Sequence, residues 1–242
     1  MPFAPTFDPG AILDARDAGL GHSATARAVL LARLCGTDGD EHDVLDWPLG
    51  RRDACLLALR RAWFGERIEC EGGCEACGEP IEVAFDAADI STGHAPDGAT
   101  IAIEANGREW RARVATSRDL IALERARGAD GRAILLHRLL DGSDDPDETA
   151  AGAIAAALAA RDPQAEVLLD LACPACGTPA TLPFDIAAFL WMELDRWAQG
   201  MLDDVHMLAR SYGWSERAIL ALPAARRAAY IRRAGGNSGR PL

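Results

Sequence analysis

The 242-residue sequence lacks any run of about 18 apolar residues, so no membrane-spanning helix is expected. Its longest apolar stretch, Ala150 to Ala160, is mostly alanine and contains Gly152. The N-terminus has no basic region followed by an apolar segment, so no signal peptide is read. Together these absences predict a cytoplasmic protein with reduced thiols. Positive charge is also scarce, with 25 basic residues against 37 acidic ones and a net charge of -12. Such a surface repels nucleic-acid phosphate unless its arginines gather locally. The chain contains no paired catalytic carboxylates, nucleophile elbow, phosphate-binding glycine loop or His-Glu zinc motif. A non-enzymatic protein without a small-molecule substrate is therefore expected.

Cysteine is present in an arrangement that disulfides do not explain in such a compartment. Five of the seven cysteines fall in Cys70-Glu-Gly-Gly-Cys74-Glu-Ala-Cys77-Gly78 and Cys173-Pro-Ala-Cys176-Gly177. Two residues between cysteines let both sulfurs point at one ion. The glycine that follows can turn left-handed and aim backbone N–H groups at the thiolates. Two such knuckles supply the four thiolates of a closed structural zinc site: Cys74, Cys77, Cys173 and Cys176. Redox pairs share the spacing, but a thioredoxin-like motif is single and leads into a helix. Here each pair is followed by Gly, Pro and a strand-like run ending in Phe85-Asp86 or Phe184-Asp185. Cys70 could replace Cys74, although the match between the halves favours Cys74. Cys35 and Cys55 lie in apolar helical patterns and read as buried, unpaired residues. The spacing around His94 and His206 marks neither as a ligand.

Residues 1–18 read as an extended arm, and residues 19–66 as N-terminal helices. Ser23 to Leu34 and Pro48 to Phe64 carry helical patterns. Leu56, Leu57, Leu59, Trp63 and Phe64 are expected inside the second helix, and Arg51, Arg52, Arg60 and Arg61 on its wet face. Thr37 to Asp46 is an acidic loop. Residues 67–185 form a zinc-knuckle and β region with an inserted hairpin, turning at Asn106-Gly107, and further helices. The aspartates of Asp141 to Asp147 lack calcium-loop spacing and read as a solvated loop. Residues 186–234 hold a helix from Ile186 to Tyr212, with Leu202 among its expected inward positions, followed by shorter helices. The last of these carries Arg226, Arg227, Arg232 and Arg233. Residues 235–242 read as disordered. The expected fold class is α+β, mainly α-helical, with a small zinc-bound knuckle and β-strand element built from two distant C-x-x-C-G segments.

Several segments in this order carry a family resemblance. They are Thr116-Ser117-Arg118-Asp119-Leu120, the Leu171 to Gly177 knuckle, and Phe184-Asp185-Ile186-Ala-Ala-Phe189-Leu190-Trp191. Val205-His206-Met-Leu-Ala-Arg-Ser-Tyr212-Gly213-Trp214-Ser215-Glu216 follows, then Leu220-Ala-Leu222, Arg226-Arg227 and Tyr230. From about Pro48 to Ala234 the chain resembles bacterial proteins of the T-even-type phage baseplate family. These occur in gene clusters for contractile injection systems, which are tail-like particles without phage heads. The resemblance implies a baseplate or hub component, or a hub-assembly factor, with baseplate, hub, tube or sheath proteins as partners. The Gly213 to Glu216 segment is also similar to tail-assembly chaperones. Zinc rests on the cysteines and not on the resemblance. The alternative is a zinc-ribbon nucleic-acid-binding protein, which the scarcity of basic residues beside either knuckle opposes.

Overall fold

The computed structural model describes residues 7–35, 43–126, 130–142 and 144–236. In chain order the elements are α1 (Pro9–Gly19), α2 (Ala24–Arg33), a 3₁₀ turn (Val44–Asp46) and α3 (Leu49–Phe64). Two hairpins follow, β1 (Arg67–Gly73) with β2 (Pro80–Asp86) and β3 (Thr100–Ala105) with β4 (Arg108–Arg113). Next come α4 (Ser117–Arg125), α5 (Gly131–Leu139), α6 (Glu148–Arg161) and a second 3₁₀ turn (Pro163–Ala165). The hairpin of β5 (Val167–Ala172) and β6 (Pro179–Phe184) precedes α7 (Ile186–Tyr212), α8 (Glu216–Leu220) and α9 (Ala224–Gly236). The fold is α+β and mainly helical. Among the described residues, the strands form three separate two-stranded antiparallel sheets. Among the described residues, no helix is long and apolar enough to cross a membrane.

The chain divides into two compact units, one centred on Ser23–Phe189 and the other combining residues 7–22 with residues 190–236. In the first unit, α2 starts where the Ser23 side chain accepts from the Ala26 N–H, and it buries Ala28, Val29, Leu31 and Ala32. These pack towards α3, which buries Leu56, Leu57 and Leu59. Trp63 and Phe64 are only partly covered. Arg52 and Arg60, expected on the wet face, are buried. Each is satisfied locally, since Arg52 Nε donates to Asp53 at 2.7 Å and Arg60 Nη1 donates to the Gly65 carbonyl at 2.7 Å. Burial pushes the Asp53 carboxyl up to about 6 despite the opposing pull of Arg52. Cys35 and Cys55 are buried as expected, but they are joined as a disulfide between the end of α2 and α3.

The β3–β4 hairpin turns through Asn106 and Gly107, both at positive φ. Its inner face (Ile103, Ala105, Trp110 and Ala112) packs with Ala150 and Ile154 of α6. Asp147 caps α6 and accepts from the Asn106 side chain, while Asp144 pairs with Arg108. These aspartates of the expected solvated loop therefore tie the hairpin to the helix. Two buried carboxylates fix the surrounding connections. Asp162, just after α6, accepts from Gly50 N at 2.9 Å and Ala95 N at 2.8 Å. Asp119, fully buried in α4, accepts from both terminal nitrogens of Arg113, from Arg138 and from the Thr116 backbone.

In the second unit, α1 replaces part of the expected extended arm. Asp8 caps it, Pro9 occupies a first-turn position that needs no N–H donor, and Ile12, Leu13 and Ala15 are buried. Leu13 packs with Ala198 and Met201, and Arg16 Nε donates to Asp195 at 2.9 Å. The bounds of α7 match the expected ones, and Asp185 receives the N–H groups of Ala187 and Ala188 at its start. Leu202, expected inside, is exposed, as is His206. Arg227, expected on an open basic face of α9, is buried against Asp204. The acidic loop expected from Thr37 ends in the 3₁₀ turn, and its residues 37–42 lie outside the described residues, as do 1–6 of the arm. The expected tail is helical to Gly236, and 237–242 lie outside the described residues.

Candidate metal centre

The centre is built from two hairpins that repeat one another. In β1–β2, Gly73 faces Pro80 and Ile68 faces Phe85. In β5–β6, Ala172 faces Pro179 and Val167 faces Phe184. Each hairpin turns through a cysteine knuckle with the same backbone bonds. Cys74 N donates to Glu79 O and Gly78 N donates to Cys74 O, at 2.9 and 2.8 Å. Cys173 N donates to Thr178 O and Gly177 N donates to Cys173 O, both at 2.9 Å. Gly78 and Gly177 have φ of 75° and 74°, the left-handed conformation that a side chain would oppose. Between the hairpins, Cys74, Ile81 and Cys173 share an apolar cluster with Val83, Leu171 and Ala180. Phe85 and Phe184, the counterparts at the strand ends, meet edge to face with centroids 5.4 Å apart.

This packing converges four sulfurs. Those of Cys74, Cys77, Cys173 and Cys176 all lie within 4.8 Å of one another, so the group can hold a metal ion. The Cys74–Cys176 and Cys77–Cys173 sulfur pairs are each 3.8 Å apart. A tetrahedron of thiolates about 2.3 Å from a central zinc has edges of about 3.8 Å. A disulfide would need about 2.05 Å. Cys74 and Cys173 are buried, whereas Cys77 and Cys176 are exposed. The knuckle backbones thus hold a donor set of metal-site dimensions with one side open to solvent.

Cys176 Sγ lies 3.3 Å from the Thr178 hydroxyl, and hydrogen bonding to the Thr178 side chain and backbone pushes Cys176 down to about 6. The Glu79 backbone N–H favours a thiolate at Cys77, but desolvation and the neighbouring sulfurs outweigh it and push Cys77 up to about 12. The surroundings of Cys77 and Cys176 therefore push the two exposed sulfurs in opposite directions. A bound cation would relieve this by holding all four as thiolates.

Cys70 is outside the four-sulfur group. It sits on β1 opposite Val83, half-buried, and burial pushes its thiol up. The symmetry between the halves therefore selects Cys74. His94 instead places Nδ1 3.1 Å from the carbonyl of Ala95. Trp214 lies in the second unit, stacked on Tyr212 and edge to face with Tyr230. Sequence reasoning missed the anchoring carboxylates Asp119 and Asp162, whose partners are fixed only by the fold. For Asp119, the Thr116-x-x-Asp119 capping box is the one local signal.

Compared with known proteins, the chain matches no family model, no curated protein and no solved structure.

Proposed function

We propose that this protein is a non-enzymatic baseplate or hub component, or hub-assembly factor, of a contractile phage-tail-like injection system, and that its four-cysteine centre holds a structural zinc ion. The tail role is supported by the resemblance carried by Leu171 to Trp191 and Val205 to Glu216. The metal role is supported by the four sulfurs within 4.8 Å of one another. Zinc suits an all-thiolate donor set at tetrahedral spacing, and four protein thiolates leave it no open position for a substrate. The protein acts in the cytoplasm, where particles assemble, either entering the particle or leaving after assembly. Its partners are baseplate, hub, tube or sheath proteins.

A zinc-ribbon nucleic-acid binder is the competing reading, and the surface of the first hairpin weighs against it. Glu71 and Glu82 face each other across the strands, and Glu69, Glu75 and Glu79 are exposed nearby. That surface repels phosphate. Deletion of the gene in the native host tests the tail reading. Electron microscopy of the mutant should show no complete contractile particles, with restoration on complementation. Normal particles in the mutant would reject it.

A further inference from the structure

The two hairpins of the metal centre belong to separate sheets, with no strand ladder between them. Their joint consists of apolar packing and the sulfur cluster. Both 3.8 Å sulfur pairs cross from one hairpin to the other, and each joins a buried cysteine to an exposed one. We propose that the joint survives oxidation: hydrogen peroxide converts the centre into two cross-hairpin disulfides, Cys74–Cys176 and Cys77–Cys173, as the metal leaves. This rests on the zinc reading above.

The chemistry follows from the pairing. An exposed thiolate, Cys77 or Cys176, attacks one peroxide oxygen, forming a sulfenic acid and releasing hydroxide. The buried thiolate beside it attacks that sulfur, forming the S–S bond and releasing a second hydroxide. Both hydroxides take protons and leave as water. Each disulfide thus consumes one peroxide, with two sulfurs oxidised and two peroxide oxygens reduced. Once two thiolates are used, the metal has lost half its ligands and departs. Disulfides within each knuckle would instead untie the hairpins and make the site a release switch. The cross-hairpin contacts point the other way, to a joint held by metal under reducing conditions and by covalent bonds under oxidising ones.

The experiment uses the full-length protein, purified without oxygen. Its zinc is measured, hydrogen peroxide is added, and zinc release is followed with a chromophoric chelator. Non-reduced peptides are then mapped by mass spectrometry. Cleavage after Glu75 separates Cys74 from Cys77, and fragmentation assigns their partners. The expected result is release of a single zinc per chain, Cys74–Cys176 and Cys77–Cys173 linkages, and a melting temperature above that of chelator-stripped protein in which the Cys35–Cys55 disulfide is intact and the four clustered sulfurs are reduced. Cys74–Cys77 and Cys173–Cys176 linkages, sulfinic acids in place of disulfides, or melting as low as the stripped protein would overturn the proposal. Protein that contains no zinc before peroxide is added would overturn the zinc reading instead, while the peptide map of the same sample still decides which sulfurs pair.

Discussion

Cys74 Sγ stands 3.8 Å from Cys176 Sγ although 102 residues separate them in the chain. A link across a loop of that size removes about 4.7 kcal/mol of chain entropy from the unfolded state on the simple loop model. The span between the knuckles contains β3, β4, α4, α5 and α6. The cluster therefore closes a loop around much of the first unit.

Cys74→Ser and Cys176→Ser each leave three thiolates. Both variants should lose most of their bound metal and be destabilised by about 3–5 kcal/mol, because metal binding and folding are coupled. Metal analysis and urea denaturation measure the two effects. A variant with full metal content and unchanged melting would remove the stapling role.

Asp119 carries a pH signature. Burial alone would raise its pKa, but Arg113, the Thr116 N–H and Arg138 outweigh burial and bring it down to about 2. A carboxylate depressed in this way stabilises the fold above its unfolded pKa, near 4, and loses that contribution as pH falls through about 2. The loss is about 2 kcal/mol. Asp119→Asn should be less stable at pH 7 and should lack this acid-dependent loss. Parallel denaturation curves for wild type and variant from pH 7 to pH 2 would contradict the assignment.

Gly50 admits Asp162 by having no side chain. A Cβ there would lie 2.2 Å from Asp162 Oδ1. Gly50→Ala should displace that carboxylate from the Gly50 and Ala95 N–H groups and cost about 2–4 kcal/mol. Calorimetry reads the loss, and a shift of under 1 °C in melting temperature would show that Asp162 yields freely.

Trp214 separates the two units experimentally. Its partners Tyr212 and Tyr230 lie in the second unit, and the sulfurs lie in the first. Trp214→Ala should weaken association with tail proteins and leave the metal content unchanged. Loss of metal as well would make this segment a structural support of the centre.

These residues also show what could be read from the chain alone. The knuckles are legible because ligand spacing, glycine and the following strand are local, and because the motif occurs twice. The helix α7 is legible because its apolar positions recur at three and four over 27 residues. By contrast, α1 hides behind Pro, Asp and Gly, which serve there as cap and first turn. Arg52 and Arg60 look solvated in a helical pattern because periodicity does not show that Asp53 and the Gly65 carbonyl satisfy them within the same segment, and Arg227 because its partner Asp204 lies 23 residues away on another helix. The same holds for Asp162, whose partner Gly50 is 112 residues away. The pairing of Cys35 with Cys55 likewise depends on how α2 meets α3.

The most direct test of the account is a pull-down of tagged protein from its native host, with the free pool and the sedimented particle fraction compared by mass spectrometry. Tube, hub or sheath proteins in the eluate are the predicted result. Their presence with the tagged chain in particles would mark a permanent component, and in the free pool alone an assembly factor. Recovery of ribosomal proteins or polymerase in place of tail proteins would contradict the account and favour the nucleic-acid reading.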